Sequence, residues 1–422
     1  MTTAPNSTPK PSPTSDLVRA QAERVFFTWS AQRDVHPMVL TQARGARFQT
    51  AEHGWLWDLE SQVYNVNIGH GHAHVQERMI DQIRSQPTAA PNMVLPIRAE
   101  LGALLHRHTG MDKFFFATGG SEAVENAIKI ARLVTGRSKI VTRRSSYHGA
   151  TLAALGVAGD PRKQPFLRDL SPAFHIDDPF PCPAGEPSAW VASLAALIER
   201  EDPATIAAVL LEGFTGTNGM QLPPLDFWPR VRELCDEHGI LLIDDEIFSG
   251  FGRTGRWFAR EHWNVRPDMM VLGKGLTSGY APLSAVAVSP AIARHFDDHR
   301  LVCGLTQYAH PVSCAAAVGA IEVLDRERMV DNSDRIGAGL HERLLDLARR
   351  QPAIRTTRGL GLMRVVEFDR PIAPLHALLL QRGAYAPFRD NMLFVCPPLC
   401  LSSAEMHTVA DVLEDGVRAF VR

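Results

Sequence analysis

Ile240-Leu241-Leu242-Ile243-Asp244-Asp245-Glu246 and Met269-Met270-Val271-Leu272-Gly273-Lys274-Gly275 each open with a short apolar run and pass straight into a charged or glycine-flanked loop. Strands buried on both faces of a parallel sheet read this way, because neither face is left to water. Asp245 closes the first run and Lys274 follows the second. Both therefore sit at carboxyl ends of strands, where open α/β sheets bind ligands. Asp244 is one residue away from Asp245 and, with a strand period of two, points to the opposite face.

The same texture recurs on either side. Phe114-Phe115-Phe116, Lys139-Ile140-Val141-Thr142 and Ile206-Ala207-Ala208-Val209-Leu210-Leu211 are further apolar runs. Helices alternate with them: Val124, Ala127, Ile128 and Ala131 keep helical spacing after Gly119-Gly120-Ser121, and Phe227, Val231, Leu234 and Cys235 share one side of a helix that stops at Gly239. This is α/β architecture with a mostly parallel sheet flanked by helices. Upstream, Trp55-Leu56-Trp57-Asp58 and Val63-Tyr64-Asn65-Val66 are expected as short strands, with Asn67 to His72 as the turn into the main body. From about residue 320 the pattern changes to a helix carrying Ile336, Leu340, Leu344 and Leu347, a strand at 362–368, a helix at 375–381 and a strand at Leu393-Phe394-Val395. A last helix starts at Ser402 and Glu405, which have capping-box spacing. The expected division is a disordered tail at 1–15, an N-terminal segment at 16–70 joining a small domain, a large domain at 71–320, and the small α+β domain at 321–422.

Composition narrows the function classes. The 422 residues are 45% hydrophobic and 21% charged with a formal net charge of -2, which offers no field for a polyanion such as nucleic acid. The six cysteines (Cys182, Cys235, Cys303, Cys314, Cys396, Cys400) lack the C-x-x-C spacing of a zinc or redox site and read as reduced packing residues, with no metal expected. The Pro-, Ser- and Thr-rich start has no apolar h-region, and no run reaches the roughly 20 apolar residues of a membrane span. A cytoplasmic protein with no membrane partner is expected.

Lys274 alone would be read as solvated surface. Paired with Asp245 across one crevice, it suits pyridoxal 5'-phosphate (PLP). An amine holds that cofactor covalently and later shuttles a proton, while a carboxylate keeps the ring nitrogen protonated so that the ring accepts electrons. Gly120 and Ser121 at a helix start offer free N–H groups and a hydroxyl to a phosphate, although a serine there is also an ordinary N-cap. Gly250-Phe251-Gly252-Arg253-Thr254-Gly255 spells the G-x-G-x-x-G of a dinucleotide turn. Two acids and three other residues separate it from the strand end, so a glycine-rich surface loop is the plainer alternative.

Five blocks, taken in order and spacing, resemble the class III PLP-dependent aminotransferases of the ω-amine and ω-amino acid type. They are Thr118-Gly119-Gly120-Ser121-Glu122-Ala123-Val124-Glu125, Tyr147-His148-Gly149-Ala150-Thr151, Asp245-Glu246-Ile247 with Gly250 to Gly255, Gly273-Lys274-Gly275, and Gly304-Leu305-Thr306 with His310-Pro311. The similarity runs from residue 57 to 398. It implies PLP-transferase fold type I and a homodimer with shared active sites. It also implies Gly120 and Ser121 on the phosphate, Tyr147 on the ring with His148 beside it, Asp245 at the ring nitrogen, Ile247 on the opposite ring face and Lys274 as the covalent attachment. Thr306 is implied as a phosphate contact for the neighbouring subunit, and Glu212 as a residue near the cofactor.

Two departures from the family bear on substrate. Phe394 stands where many α-amino-acid-type members carry a carboxylate-gripping arginine, and Thr217 where ornithine-type members carry a gating glutamate. The pattern is similar to the branch acting on terminal amines such as β-alanine, taurine or diaminopelargonate-type compounds. Trp29 is either an apolar wall of that pocket or a core residue. Arg389 is either the carboxylate ligand of a 2-oxo acid or an ordinary surface charge. The activity implied is transfer of an amino group from an ω-amine or ω-amino acid to pyruvate or 2-oxoglutarate. The rivals are a PLP racemase, aminomutase or decarboxylase on the same fold and, farther off, a nucleotide-dependent oxidoreductase or a cofactor-free binding protein.

Overall fold

The computed structural model describes residues 13–178, 188–216 and 218–422, so Thr217, Cys182 and most of the expected N-terminal tail lie outside the described residues. A helix, Pro13–Ala22, takes up the last three residues of that tail.

A seven-stranded sheet organises the chain: β1 (Lys113–Ala117), β2 (Lys139–Arg143), β3 (Phe174–Ile176), β4 (Ile206–Glu212), β5 (Leu241–Asp245), β6 (Met269–Leu272) and β7 (Ser284–Val288). Their spatial order is β1-β7-β6-β5-β4-β2-β3. β7 runs antiparallel to β1 and β6, and the pairs from β6 to β3 are parallel. β4 and β6 are buried at every position, as unalternating apolar strands must be when helices cover both faces. Helix Gly120–Thr135 lays Ala123, Val124, Ala127, Ile128 and Ala131 on the sheet, against Val271 and Val286 among others. Each of the larger side chains contributes about 1.5–3 kcal/mol by leaving water.

Two further four-stranded sheets flank this body. In one, Leu40–Arg44, Arg47–Thr50 and Gly54–Asp58 form an antiparallel ribbon, and Ala384–Tyr385 adds to its last strand in parallel. The other combines Ile354–Leu360, Met363–Phe368, Met392–Val395 and Phe388–Arg389. Helix Ser403–Val421 starts with the capping box read from Ser402 and Glu405.

Two expectations are corrected. Val63 to Val66 do not form a strand: Ser61, Gln62, Val63 and Tyr64 form a left-handed turn with φ of 53°, 47°, 62° and 60°. Such a conformation costs on the order of 1–2 kcal/mol per residue. It is held from outside: Asp58 Oδ1 accepts from the Glu60 and Gln62 amides, and Ser61 Oγ donates to the Cys396 carbonyl at 2.6 Å.

The run Gly250 to Gly255 is neither a dinucleotide turn nor a surface loop. It is a buried series of turns that opens no helix. Glycines here and at 337 and 361 let three backbones meet. A Cβ on Gly361 would fall 2.5 Å from Gly255 N, and one on Gly337, in helix Met329–Arg350, would collide with the Gly361 carbonyl. Arg253, fully buried within the run, donates from Nε to Asn67 Oδ1 at 3.0 Å and from Nη1 to the Pro397 carbonyl at 2.8 Å. The run therefore ties segments before and after the large domain, at Asn67 and Pro397, to the central sheet.

Gly337→Ala tests this junction, because its helical backbone accepts alanine and only the packing forbids it. A loss of about 2–3 kcal/mol is expected, read as a lower urea midpoint.

Candidate active site

Four parallel strands end side by side, and their registers bring four charges to one edge. Glu212 closes β4 opposite Asp245, which closes β5; Asp245 pairs with Val271, three residues before Lys274; Arg143 closes β2. A cavity of about 350 Å³ opens over this edge. Its floor carries Lys274, Asp245, Glu212 and His148, and its wall carries Gly120, Ser121, Tyr147, Ile247 and Trp29.

Asp245 is almost completely buried. Its Oδ2 accepts from His148 Nδ1 at 2.7 Å, and its Oδ1 accepts from the Ile247 amide at 3.1 Å. His148 Nε2 faces Thr142 Oγ1 at 3.2 Å, so the hydroxyl donates when Nδ1 carries the ring hydrogen. Among the described residues no Arg or Lys stands within ion-pair distance of Asp245. Asp244 faces away, into the interior beside Glu246, as the strand period requires. Burial first, and Glu246 second, raise its carboxyl well above the usual range.

Lys274 follows Gly273 with φ of 44°, a left-handed step that turns its side chain off the strand line into the cavity. Its Nζ lies 4.7 Å from the Phe248 ring centroid and 5.6 Å from that of Tyr64. Burial lowers its pKa to about 8, against the opposing pull of Asp245 and Glu212. Glu212 is raised by burial, and Arg143 Nη2 donates to its Oε2 at 2.5 Å.

The wall begins at helix Gly120–Thr135. Glu122 Oε2 accepts from the Thr118 and Gly119 amides, and the first-turn amides that follow have no acceptor within the helix. Ser121 Oγ accepts from Ala150 N at 3.0 Å, which fixes the hydroxyl at the cavity edge rather than on its own helix as a cap. Glycine at 120 leaves room for the Ile247 side chain, since a Cβ there would stand 2.9 Å from Ile247 Cδ1.

The chain thus brings together Lys274, Asp245, Gly120, Ser121, Tyr147, His148, Glu212, Ile247 and Trp29. Trp29 is 67% exposed, which removes the core reading for that residue. Three expected residues stand elsewhere. Thr306 borders a separate depression with residues 88–91. Phe394 is 2% exposed and sits behind Tyr64, ring centroids 6.4 Å apart, without bordering the cavity. Arg389 donates from Nη1 to Asn218 Oδ1 at 2.6 Å and does not border it either. Sequence reasoning missed Tyr64, Phe248, Arg143 and Arg162. The end-of-strand rule that finds Asp245 also finds Arg143; Tyr64 was hidden by the strand reading, and Arg162 carries no local signal.

A buried amine and a buried carboxylate without a cation, facing one cavity beside a helix start, are the donor set that PLP requires: a nucleophile, a partner for a pyridinium and a phosphate cradle. Fold and site define a PLP-dependent enzyme of fold type I. The chain belongs to the class III aminotransferases: the family model described as Aminotransferase class-III matches residues 29–417. The acetylornithine aminotransferase of Methanosarcina acetivorans is 32% identical over 402 residues, covering 95% of this chain and 96% of the relative. The omega-aminotransferase of Caulobacter vibrioides is 29% identical, with 92% and 95% covered. Among solved structures, an (S)-enantioselective omega-transaminase from Thermomicrobium roseum superposes with a TM-score of 0.91 at 31% identity, covering 98% of this chain and 100% of the other. The taurine:2-oxoglutarate aminotransferase from Bifidobacterium kashiwanohense, solved with PLP and glutamate, gives 0.90 at 28% identity, with 96% and 98% covered.

Holding Lys274 in this site opposes folding. Its folded pKa of about 8 lies below the ordinary 10.5, so the unfolded chain binds the proton more tightly. The cost is full below about pH 8 and disappears as pH rises past 10.5. With PLP released by hydroxylamine and then dialysed away, Lys274→Met is expected to stabilise the protein by about 3 kcal/mol at pH 7, and the gain in melting temperature should shrink toward pH 10.

Proposed function

We propose that this aminotransferase takes its amino group from an ω-amine or ω-amino acid and passes it to a 2-oxo acid, pyruvate or 2-oxoglutarate, as a cytoplasmic homodimer. The observation that carries the donor class is the apolar wall beside Lys274. Tyr64 and Phe248 meet edge to face at 4.6 Å, and Phe394 backs them in place of a carboxylate-gripping arginine. The omega-aminotransferase and omega-transaminase among the relatives support the same class. In the homodimer, Thr306 would serve the neighbouring subunit's phosphate site, which accords with its distance from the cavity of its own chain. The parallel pairing of Gly54–Asp58 with Ala384–Tyr385 supports assigning the N-terminal segment to the small domain.

Gly120 and Ser121 would hold the phosphate through first-turn amides and the Ser121 hydroxyl, while Tyr147 and Ile247 would flank the ring. When bound, PLP supplies an electron sink that makes the hydrogen on the amine-bearing carbon acidic. Asp245, oriented by His148 and the Ile247 amide, would hold the proton on the ring nitrogen by its uncompensated charge. Lys274 Nζ, with its pKa of about 8, is basic enough to accept the donor's proton and acidic enough to return it near neutral pH. Its apolar neighbours Tyr64 and Phe248 keep water from competing for that proton. Glu212, neutralised by Arg143, contributes shape to the floor without a second free negative charge.

The purified protein should be yellow and bleach with hydroxylamine. Lys274→Ala should lose both the visible band and turnover, and Asp245→Asn should keep the cofactor but lose at least about a hundredfold in kcat/KM. Terminal monoamines, ω-amino acids, N-acetylornithine and α-amino acids assayed against both acceptors should show the first three, which all donate a terminal amine, preferred over the α-amino acids. Turnover independent of any added 2-oxo acid would point instead to a racemase, aminomutase or decarboxylase.

A further inference from the structure

Any 2-oxo acid entering the cavity brings a carboxylate toward a floor that already holds Asp245, with Glu212 matched by Arg143. A second unmatched negative charge there is costly. Apart from Lys274, one Arg or Lys among the described residues borders the cavity, and it is Arg162. Arg162 is the second residue of the short 3-10 helix Pro161–Phe166, and Asp160 is its N-cap. The Asp160 carboxylate grips one edge of the guanidinium: Nε donates to Oδ1 and Nη2 to Oδ2, each at 2.8 Å. Oδ1 also accepts from the Arg162 amide at 2.8 Å, so the pair is fixed at both backbone and side chain.

The guanidinium carbon lies 4.5 Å from the Tyr147 ring centroid and 5.0 Å from that of Trp29. Planar cations rest against aromatic faces in this way. A guanidinium has two edges that match a carboxylate, Nε with Nη and Nη with Nη. Asp160 uses the first. Nη1 donates to no described residue, and the side chain is 40% exposed, so the second edge is open to the cavity. Arg389 acts on Asp160 through its charge but donates from Nη1 to Asn218 and does not border the cavity.

We propose that Arg162 binds the carboxylate of the 2-oxo acid and of the amino acid formed from it. Asp160, Tyr147 and Trp29 are positioning residues that hold its open edge toward the cavity. This assignment rests on the aminotransferase reading above. It explains how one cavity serves both halves of the reaction: an amine donor without a carboxylate lies along Tyr64 and Phe248, and the acceptor adds a salt bridge at the wall bearing Arg162. It also removes the need for the arginine that Phe394 replaces.

The test measures the two half reactions separately, by the cofactor's visible spectrum, in the wild type, Arg162→Gln, Arg162→Lys and Arg389→Gln. Arg162→Gln should lower kcat/KM for the 2-oxo acid about tenfold or more, carried by KM, and should weaken inhibition by the unreactive dicarboxylate glutarate in parallel. The donor half reaction with a carboxylate-free monoamine should shift less than about threefold. Arg162→Lys should recover part of the loss, since it restores charge but not the fork. An unchanged acceptor KM in Arg162→Gln, an equal fall in both half reactions, or a larger acceptor loss in Arg389→Gln would overturn the assignment. A wild type that consumes no 2-oxo acid would refute the transfer reading itself, and Arg162 with it.

Discussion

Asp245 keeps a carboxylate out of water without a cation to match it, and much of the molecule is arranged around that one charge. A buried, unpaired carboxylate is expensive. The neighbouring His148 ring and the Ile247 amide offset part of the cost by hydrogen bonding. Lys274, the cation nearest in sequence logic, is held among aromatic rings and out of ion-pair reach, so its own charge is also disfavoured. The two groups are kept apart by belonging to adjacent parallel strands, whose register fixes the spacing of their ends. A pair free to collapse into a salt bridge would stabilise the fold and lose the chemistry.

That spacing needs a rigid frame, and the frame is built from conformations that most residues avoid. The left-handed turn from Ser61 to Tyr64 delivers the Tyr64 ring to the Lys274 amine, and it persists because Asp58 and the Cys396 carbonyl hold it. The glycine junction beneath the site lets helix Met329–Arg350 and the hairpin at Gly361 rest directly on the loop that follows β5. Local cost is repaid by contacts far away in sequence, which is the usual arrangement at functional sites.

The same division explains what the amino-acid sequence discloses. β4, β5 and β6 are legible because burial on both faces demands unbroken apolar runs, and Asp245 and Lys274 are legible because they interrupt those runs at the carboxyl end. The Ser402 cap is legible because its chemistry is local. The turn at 61–64 is not, since nothing in Ser-Gln-Val-Tyr asks for positive φ and part of its support comes from as far away as residue 396. β7, with its small residues Ser284 to Val288, carries little signal of its own and takes its place from the strands on either side. The glycine run spells a nucleotide motif, yet Gly252 answers to Val330 and Leu399, and Gly255 to Asp334. Arg162 escapes notice for a related reason: its role depends on a loop folding back onto Tyr147 and Trp29.

Arg253 carries a further consequence, for how the chain assembles. Its guanidinium joins Asn67 to Pro397, and the strand Gly54–Asp58 finds its outer neighbour at Ala384–Tyr385. Contacts of this span have a high loop-closure cost before they return anything, and they slow folding. During synthesis the ribosome must release nearly the whole polypeptide before the first ribbon of strands has its edge covered. For that interval the edge of the ribbon is open to pairing with another chain.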